Sequence, residues 1–150
     1  MILVLDASLL RDLREHAEQR YPEECAGLLL GSVERDRRMA TSIRLLENSS
    51  VPETRRRRYL IPAAEMLRAE QEAEAAGIEI LGVFHSHPDH PAAPSEFDRE
   101  HALPWYVYLI ISVQAGNAME SRAWKLNEDR RQMAELPLVV DSSGHEEVIG

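Results

Sequence analysis

The sequence predicts an α+β fold in which a mixed β-sheet carries helices on its faces, in a three-layer, α/β/α-like arrangement. Apolar, strand-like runs are interrupted by segments of helical periodicity. Their order, with a hairpin, a helix and then further strands, does not follow a regular strand–helix repeat. The 150 residues contain no internal repeat and no linker. We therefore predict one domain over residues 1–140, followed by a flexible C-terminal tail over the polar residues 141–150.

The first part of the chain predicts a strand, a helix and a hairpin. Residues 1–5 form an apolar run, and Asp6 or Ser8 can cap a helix that continues to about Arg20. Pro22 ends this helix, because the residue before a proline is pushed out of the helical conformation. The apolar stripe of the helix consists of Leu9, Leu10, Leu13 and Ala17. A central strand, its hairpin partner and a mobile surface loop are predicted over residues 25–31, 39–46 and 47–58.

The second part predicts further strands around two helices. Pro62 suits the first residue of a helix, since its missing N–H costs little there, and that helix is expected to end near Gly77. A shorter helix is expected from about Ser95 to Ala102. The apolar side of the longer helix consists of Met66, Ala69, Ala73 and Ala76. Predicted strands cover residues 59–61, 78–84, 105–113, 119–126 and 136–140.

Composition excludes several classes of protein. Lys and Arg number 17 and Asp and Glu 26, and a net charge of −9 argues against binding to nucleic acid. No apolar stretch approaches the ~18–20 residues that span a bilayer, and the N-terminus lacks the basic region of a signal peptide. We expect a cytoplasmic protein without a membrane partner, either a monomer or a homodimer. Cys25 is the only cysteine, so no intramolecular disulfide can form.

Residues 85–98 carry the densest group of chemically active side chains. His85 and His87 continue an apolar strand, and alternate residues of a strand face the same way. Their β-carbons should lie roughly 6–7 Å apart, close enough for both imidazoles to reach one ion. Asp98, at a helix start after a Pro-rich loop, can return a carboxylate to the same point. Two His and one Asp leave a tetrahedral ion one open position, which is typical of a catalytic metal site.

A hydrolytic metal site also needs a carboxylate that takes up and returns a proton. Glu23 and Glu24 directly precede the predicted strand 25–31. An ionisable residue at the start of a buried strand is well placed to enter a cleft. Alternation along the strand puts these two side chains on opposite faces, so only one of them faces the cleft.

Together these residues resemble the signature of the JAMM (MPN-plus) zinc metalloproteases, in their small stand-alone prokaryotic form. That signature is a Glu, then His-x-His-x(7)-Ser-x(2)-Asp, and the resemblance extends over residues 1–126. The chain matches it without substitution at Glu24, His85, His87, Ser95 and Asp98. The resemblance implies a largely antiparallel, curved sheet of JAMM/MPN, cytidine-deaminase-like architecture.

The resemblance also implies roles for these residues. One zinc ion per chain is held by His85, His87 and Asp98, with water as the fourth ligand. Glu24 is the general acid/base, and Ser95 donates a hydrogen bond to the developing oxyanion or the catalytic water. The implied reaction is hydrolysis of an amide or isopeptide bond after the C-terminal Gly-Gly of a ubiquitin-like sulfur-carrier protein. Such a tail can bind as an added strand, which predicts an exposed strand edge beside the His85 cleft.

Alternative interpretations remain at this point. The chain is also compatible with a non-catalytic MPN-type interaction scaffold, or with a zinc peptidase for other short peptides. Ser95 and Asp98 match a helix capping box, and a lone Cys25 is more often a small buried hydrophobe than a nucleophile. His90 suits a solvated loop. The run Arg55–Arg58 suits a solvated face or a docking site for an acidic partner.

Overall fold

The computed structural model describes residues 1–55 and 58–150 and confirms the predicted α+β fold. The helices are α1 (Ala7–Arg20), α2 (Ala63–Ala75) and α3 (Glu96–His101). The strands are β1 (Ile2–Asp6), β2 (Ala26–Glu34), β3 (Arg37–Leu46), β4 (Glu79–Pro88), β5 (Val107–Gln114), β6 (Asn117–Leu126), β7 (Met133–Leu136), β8 (Leu138–Ser142) and β9 (His145–Val148).

Within the described residues, the strands form one mixed, curled sheet in the order β7-β6-β5-β4-β2-β3-β1-β8-β9. Three of its strand pairs are parallel, namely β1–β3, β1–β8 and β4–β5. The remaining pairs are antiparallel, as the prediction of a largely antiparallel sheet requires. None of the helices in the described ranges has the length and apolar character needed to cross a bilayer.

Helix α1 begins and ends where the sequence predicts. The Asp6 carboxylate caps its first turn by accepting a hydrogen bond from the Ser8 backbone N–H at 2.8 Å. The Tyr21 N–H closes its last turn on the Ala17 carbonyl, and Pro22 follows. Its apolar stripe packs on one face of the sheet, with Leu10, Leu13 and Ala17 buried in the core.

Strand β2 shows how the sheet separates two cores. Leu29 joins the core beneath α1, whereas Leu28 and Leu30 face the opposite side, because successive side chains of a strand alternate. On that opposite side they pack with Ala69 and Ala73 of α2. The result is the predicted three-layer arrangement, with α1 and α2 on opposite faces.

Strand β4 lies in the interior of the sheet and carries both histidines. It pairs with β2 as far as His85 on one side, and with β5 through to Pro88 on the other. At Gly82 a side chain has no room, since a Cβ would lie 1.9 Å from the Val107 carbonyl oxygen. At His85 β4 is paired on both sides, whereas at His87 and Pro88 its register continues only with β5. The exposed strand edge expected beside this cleft stays a prediction.

The predicted strand at 59–61 is absent. The Leu60 backbone N–H donates to the Asn48 side-chain oxygen at 3.2 Å, and the Leu60 carbonyl accepts from the Ser49 N–H at 3.0 Å. These polar groups therefore pair with the preceding loop and are not available to the sheet. Pro62 occupies the N-cap position, so α2 begins at Ala63, one residue later than predicted.

The predicted strand at 136–140 divides in two at Pro137, which lacks a backbone donor. One part, β7, pairs with β6, and the other, β8, pairs with β1. The segment 141–150, expected to be a flexible tail, instead continues as a hairpin in which β9 pairs with β8. Ser143 and Gly144 form its turn at φ values of 54° and 87°, and a hydrophilic edge strand of this kind lacks the apolar alternation from which strands are predicted.

Candidate metal centre

Three ligand-type atoms converge at the end of β4. The Nε2 atoms of His85 and His87 face each other at 3.1 Å, because alternate residues of a strand project to the same side. The Asp98 Oδ2 atom lies 3.0 Å from the His87 nitrogen and 3.3 Å from the His85 nitrogen. All three side chains are buried. The sequence-predicted trio is thus brought together from β4 and α3.

The capping box predicted as an alternative role is present, and it coexists with this convergence. The Ser95 N–H donates to Asp98 Oδ2 at 2.9 Å, and the Asp98 N–H donates to Ser95 Oγ at 3.1 Å. The carboxylate oxygen that accepts from Ser95 is the same one that faces both imidazoles. The helix cap therefore orients the carboxylate toward the two histidines.

His87 is oriented through its second ring nitrogen. Its Nδ1 atom lies 2.9 Å from the Pro91 carbonyl oxygen, so that Nδ1–H donates a hydrogen bond to Pro91. The lone pair of Nε2 is then available to bind a metal ion. The loop that supplies this carbonyl is itself fixed. The Ala92 carbonyl accepts from Trp124 Nε1 at 2.9 Å, and the His90 carbonyl accepts from the Ser112 hydroxyl at 2.6 Å.

Glu24 lies two residues before Ala26, which pairs with His85 across β2 and β4. Its side chain is 3% exposed, and its Oε1 atom has no hydrogen-bond partner among the described residues. One of its carboxylate oxygens and the ring nitrogens of the two histidines lie within 4.8 Å of one another. Glu24, and not Glu23, lines the cleft beside His87.

Three neighbours fix the backbone around Glu24. Its N–H donates to the Arg55 carbonyl at 2.6 Å, and its carbonyl accepts from Asn48 Nδ2 at 3.0 Å. The next residue, Cys25, donates its N–H to the Ser86 hydroxyl at 2.8 Å. Two loop residues and one residue of β4 thus hold the segment that carries the carboxylate.

The site shifts the pKa values of its two carboxylic acids, Glu24 and Asp98, in opposite directions. Burial raises the pKa of Glu24 to about 8, and the positive charge of His87 opposes this only in part. Burial also acts to raise the pKa of Asp98, but the charge of His85 and the hydrogen bonds from both histidines hold that pKa well below its usual range. Burial lowers the pKa of His85, whereas in His87 the hydrogen bond and charge of Asp98 outweigh burial and raise it.

Two clefts flank the ligand-type atoms. One of about 300 Å³ is lined by Glu24, His87 and Ser95, with Pro88, Pro91 and Ala93 as further walls. The second, of about 240 Å³, contains Asp98 in an otherwise largely apolar lining. Its walls come from β4, β5, α2 and α3 and from the loops that precede α2 and β5. Ile61, Met66, Phe97 and Leu103 are among its walls.

Other residues considered in the sequence are placed differently. Burial raises the pKa of the Cys25 thiol to about 11, which disfavours a nucleophilic thiolate. His90 is exposed at the rim of the first cleft. Arg55 turns inward and donates to the Ser50 carbonyl at 2.8 Å, and the Arg58 guanidinium lies 4.7 Å from the centre of the Phe97 ring. Arg56 and Arg57 lie outside the described residues.

Sequence reasoning missed Tyr59 and Asn48. The Tyr59 ring stacks on the His85 imidazole, with centroids 4.5 Å apart and planes inclined by 27°. Asn48 bonds the backbone at Glu24, Arg58 and Leu60. An aromatic residue between a charged run and a helix carries no signal that identifies its partner, and one Asn in a polar loop resembles any turn residue.

Comparisons with known proteins agree with this geometry. A family model described as prokaryotic homologues of the JAB domain matches residues 6–127. A desampylase of Haloferax volcanii is 35% identical over 124 residues, which cover 82% of this chain and 85% of that protein. A probable TtuB-protein conjugate cleaving protease of Thermus thermophilus is 30% identical over 111 residues, covering 74% of this chain and 70% of that protein.

Solved structures show the same fold. The solution structure of a Desulfitobacterium hafniense protein superposes with a TM-score of 0.81 at 26% identity, covering 97% of this chain and 99% of that one. A JAB1/MPN domain protein of Archaeoglobus fulgidus matches with a TM-score of 0.58 at 20% identity, covering 94% and 100%. The predicted JAMM/MPN architecture is confirmed. The chain therefore belongs to the family of prokaryotic JAB-domain homologues, and it is a hydrolase of the JAMM isopeptidase type.

Proposed function

We propose that this chain is a zinc-dependent isopeptidase that cleaves the bond after the C-terminal Gly-Gly of a ubiquitin-like protein of the sulfur-carrier type. One observation carries the proposal: two imidazole nitrogens and a carboxylate oxygen meet within 3.0–3.3 Å. Beside them lies Glu24, whose Oε1 atom has no hydrogen-bond partner among the described residues. The names of the Haloferax and Thermus relatives support the substrate class.

The donor set fits zinc. The two Nε2 atoms of His85 and His87 face each other at 3.1 Å, and a shared cation satisfies both nitrogens and the Asp98 oxygen at once. Two neutral imidazoles and one carboxylate are typical ligands of a catalytic zinc ion. Bound there, zinc would supply the Lewis acidity that polarises a carbonyl group and lowers the pKa of water.

We assign Asp98, and not Glu24, as the third ligand. The Asp98 oxygen lies closer to both histidine nitrogens, and the capping box with Ser95 fixes its direction. Glu24 Oε1 has no hydrogen-bond partner among the residues the structure describes, so it is free to accept a proton and to release it again. Glu24 then takes the proton from the attacking water and returns it to the leaving amine nitrogen.

Ser95 suits the role of a donor to the scissile carbonyl oxygen. Its Oγ atom accepts from the Asp98 N–H at 3.1 Å, which occupies a lone pair and leaves the hydroxyl proton available. The residue lines the same cleft as Glu24. The Ser95 hydroxyl can therefore donate to the carbonyl oxygen as negative charge develops on it.

The walls of the first cleft suit a tail that ends in Gly-Gly. Pro88, Pro91 and Ala93 present short, rigid walls beside Glu24 and Ser95, where two glycines add no side-chain bulk. The largely apolar second cleft, on the Asp98 side, offers space for the residues that precede the two glycines. Specificity is therefore expected to depend on the absence of side chains next to the scissile bond.

The direct test uses a ubiquitin-like protein whose C-terminal glycine is joined to a lysine of a second protein. Intact mass should show release of the free Gly-Gly form by the zinc-loaded enzyme. No release is expected after chelation, and full recovery is expected when zinc is added back. A substrate with Ala-Ala in place of Gly-Gly is the matched control and should be cleaved more slowly.

Glu24→Gln tests the mechanism within the same assay. Loss of the proton-transfer group should lower kcat by roughly 10²–10⁴-fold, while zinc content stays near one per chain, because Gln is isosteric and Glu24 is not assigned as a ligand. Full activity of the Gln variant, or of the chelated enzyme, would contradict the proposal. Equal cleavage of unrelated short peptides would favour a general zinc peptidase instead.

A further inference from the structure

The two histidines of the site are oriented by different means. A histidine that binds a metal usually donates its other ring N–H to a carboxylate, a carbonyl or water. His87 follows this rule through Nδ1 and the Pro91 carbonyl at 2.9 Å. His85 does not: its Nδ1 atom is buried and has no partner among the described residues, and the side chain is 0% exposed.

An aromatic ring packs against the face of the His85 imidazole. The Tyr59 ring lies nearly parallel to the imidazole, with centroids 4.5 Å apart and planes inclined by 27°. Stacking at this distance restricts rotation of the imidazole about its Cβ–Cγ bond, which is the motion that a hydrogen bond at Nδ1 would otherwise prevent.

Tyr59 is in turn fixed on both sides by a single side chain. Asn48 Nδ2 donates to the Arg58 carbonyl at 2.7 Å, and Asn48 Oδ1 accepts from the Leu60 N–H at 3.2 Å. The same amide nitrogen donates to the Glu24 carbonyl at 3.0 Å. Asn48 therefore links the segment that carries Tyr59 to the segment that carries the proposed general base.

We propose that Tyr59 is a positioning residue that orients the zinc ligand His85 by ring stacking, in place of a hydrogen bond at Nδ1. Asn48 in turn fixes the backbone on either side of Tyr59. This inference rests on the proposed function, since it requires that His85 binds zinc. The ring carries the effect, and the hydroxyl group is not needed for it. Loss of a group that orients a metal ligand typically weakens metal binding by about 10–100-fold.

The test measures metal binding in Tyr59→Phe, which keeps the ring, and in Tyr59→Leu, which removes it. Zinc dissociation constants come from competition with a chromophoric chelator, and the geometry of the site comes from the visible absorption of the cobalt(II) form. Tyr59→Leu should bind zinc about 10–100-fold more weakly and give an altered cobalt spectrum. Tyr59→Phe should keep the zinc affinity within a few-fold of the wild type, and its cobalt spectrum should match that of the wild type.

Leu60→Ala serves as the control, since it changes a neighbouring side chain that is 55% exposed. Its zinc affinity should not change. Tyr59→Met, which fills the space with a flexible apolar chain, replaces the Leu variant if that protein does not fold, and thermal unfolding of the zinc-free forms shows whether each is intact.

Wild-type zinc affinity in the Leu and Met variants would overturn the inference. So would a Phe variant as weak as the Leu variant, because that result would assign the effect to the hydroxyl. Both results leave the proposed function standing if the wild type cleaves its substrate with zinc. A wild type that binds no zinc would instead refute the proposed function itself.

Discussion

Ser86 and Ser121 form a matched pair for testing how β2 is held against β4. Ser86 is 0% exposed, and its hydroxyl accepts a hydrogen bond of 2.8 Å from the N–H of Cys25, which is 2% exposed. Ser121 on β6 is 3% exposed, but its Oγ atom has no partner among the described residues. Replacement by Ala removes one buried oxygen atom in both cases, and only Ser86→Ala leaves a buried donor unsatisfied.

The expected difference follows from this one hydrogen bond. An unsatisfied buried N–H lowers the free energy of unfolding by about 1–3 kcal/mol. For a domain of this size, 1 kcal/mol corresponds to about 2–4 °C, so Ser86→Ala should melt about 2–12 °C below the wild type. Ser121→Ala should stay within about 0.5 kcal/mol of the wild type.

The assay is urea-induced unfolding with chelator present, so that metal binding does not contribute to stability. Thermal unfolding under the same conditions gives the second readout. Equal unfolding midpoints for the two variants would refute the reasoning that the Ser86 hydroxyl satisfies Cys25. Because Cys25 adjoins Glu24, Ser86→Ala should also lower kcat in the zinc-loaded enzyme, whereas Ser121→Ala should not.

Two further predictions concern residues around the ligands. Ser95→Ala removes a helix cap and a donor to the substrate, so the free energy of unfolding should fall by about 1 kcal/mol and kcat by roughly 10²–10³-fold. Denaturant unfolding measures the first effect and steady-state kinetics the second. An unchanged kcat would exclude Ser95 as the donor. Asn48→Ala frees the Glu24 and Tyr59 segments together, so zinc should bind about 10-fold or more weakly in chelator competition, and wild-type affinity would show that other contacts hold Tyr59.

The local elements were largely predictable because they depend on neighbouring residues. The cap at Asp6 and the stop at Pro22 follow from short-range hydrogen bonding and sterics, and both are found in the structure. The strand at 59–61 and the flexible tail at 141–150 were wrong for a common reason. In each case hydrogen-bond partners from elsewhere in the chain decided the conformation against the local pattern. Leu60 pairs with Asn48, and β9 pairs with β8, which is itself held against the distant strand β1.

The site, too, has features that neighbouring residues predict and features that depend on the tertiary structure. Alternation along β4 is enough to predict that His85 and His87 project together, and the structure confirms this. The capping box of Ser95 and Asp98 is also visible in the sequence, but its coincidence with the approach of Asp98 to the histidines is not. That coincidence depends on where the loop before α3 returns the chain.

By itself the sequence determined the chemical groups, their spacing and the elements that carry them, because strand alternation and helix capping act over a few residues. Only the tertiary structure decided that Tyr59 stacks on His85 and that Asn48 bonds the backbone at Glu24. Those contacts join the loop between β3 and α2 to β4 and to the segment just before β2. Their formation depends on sheet order and on where the loop packs, and no short-range preference in the chain encodes either.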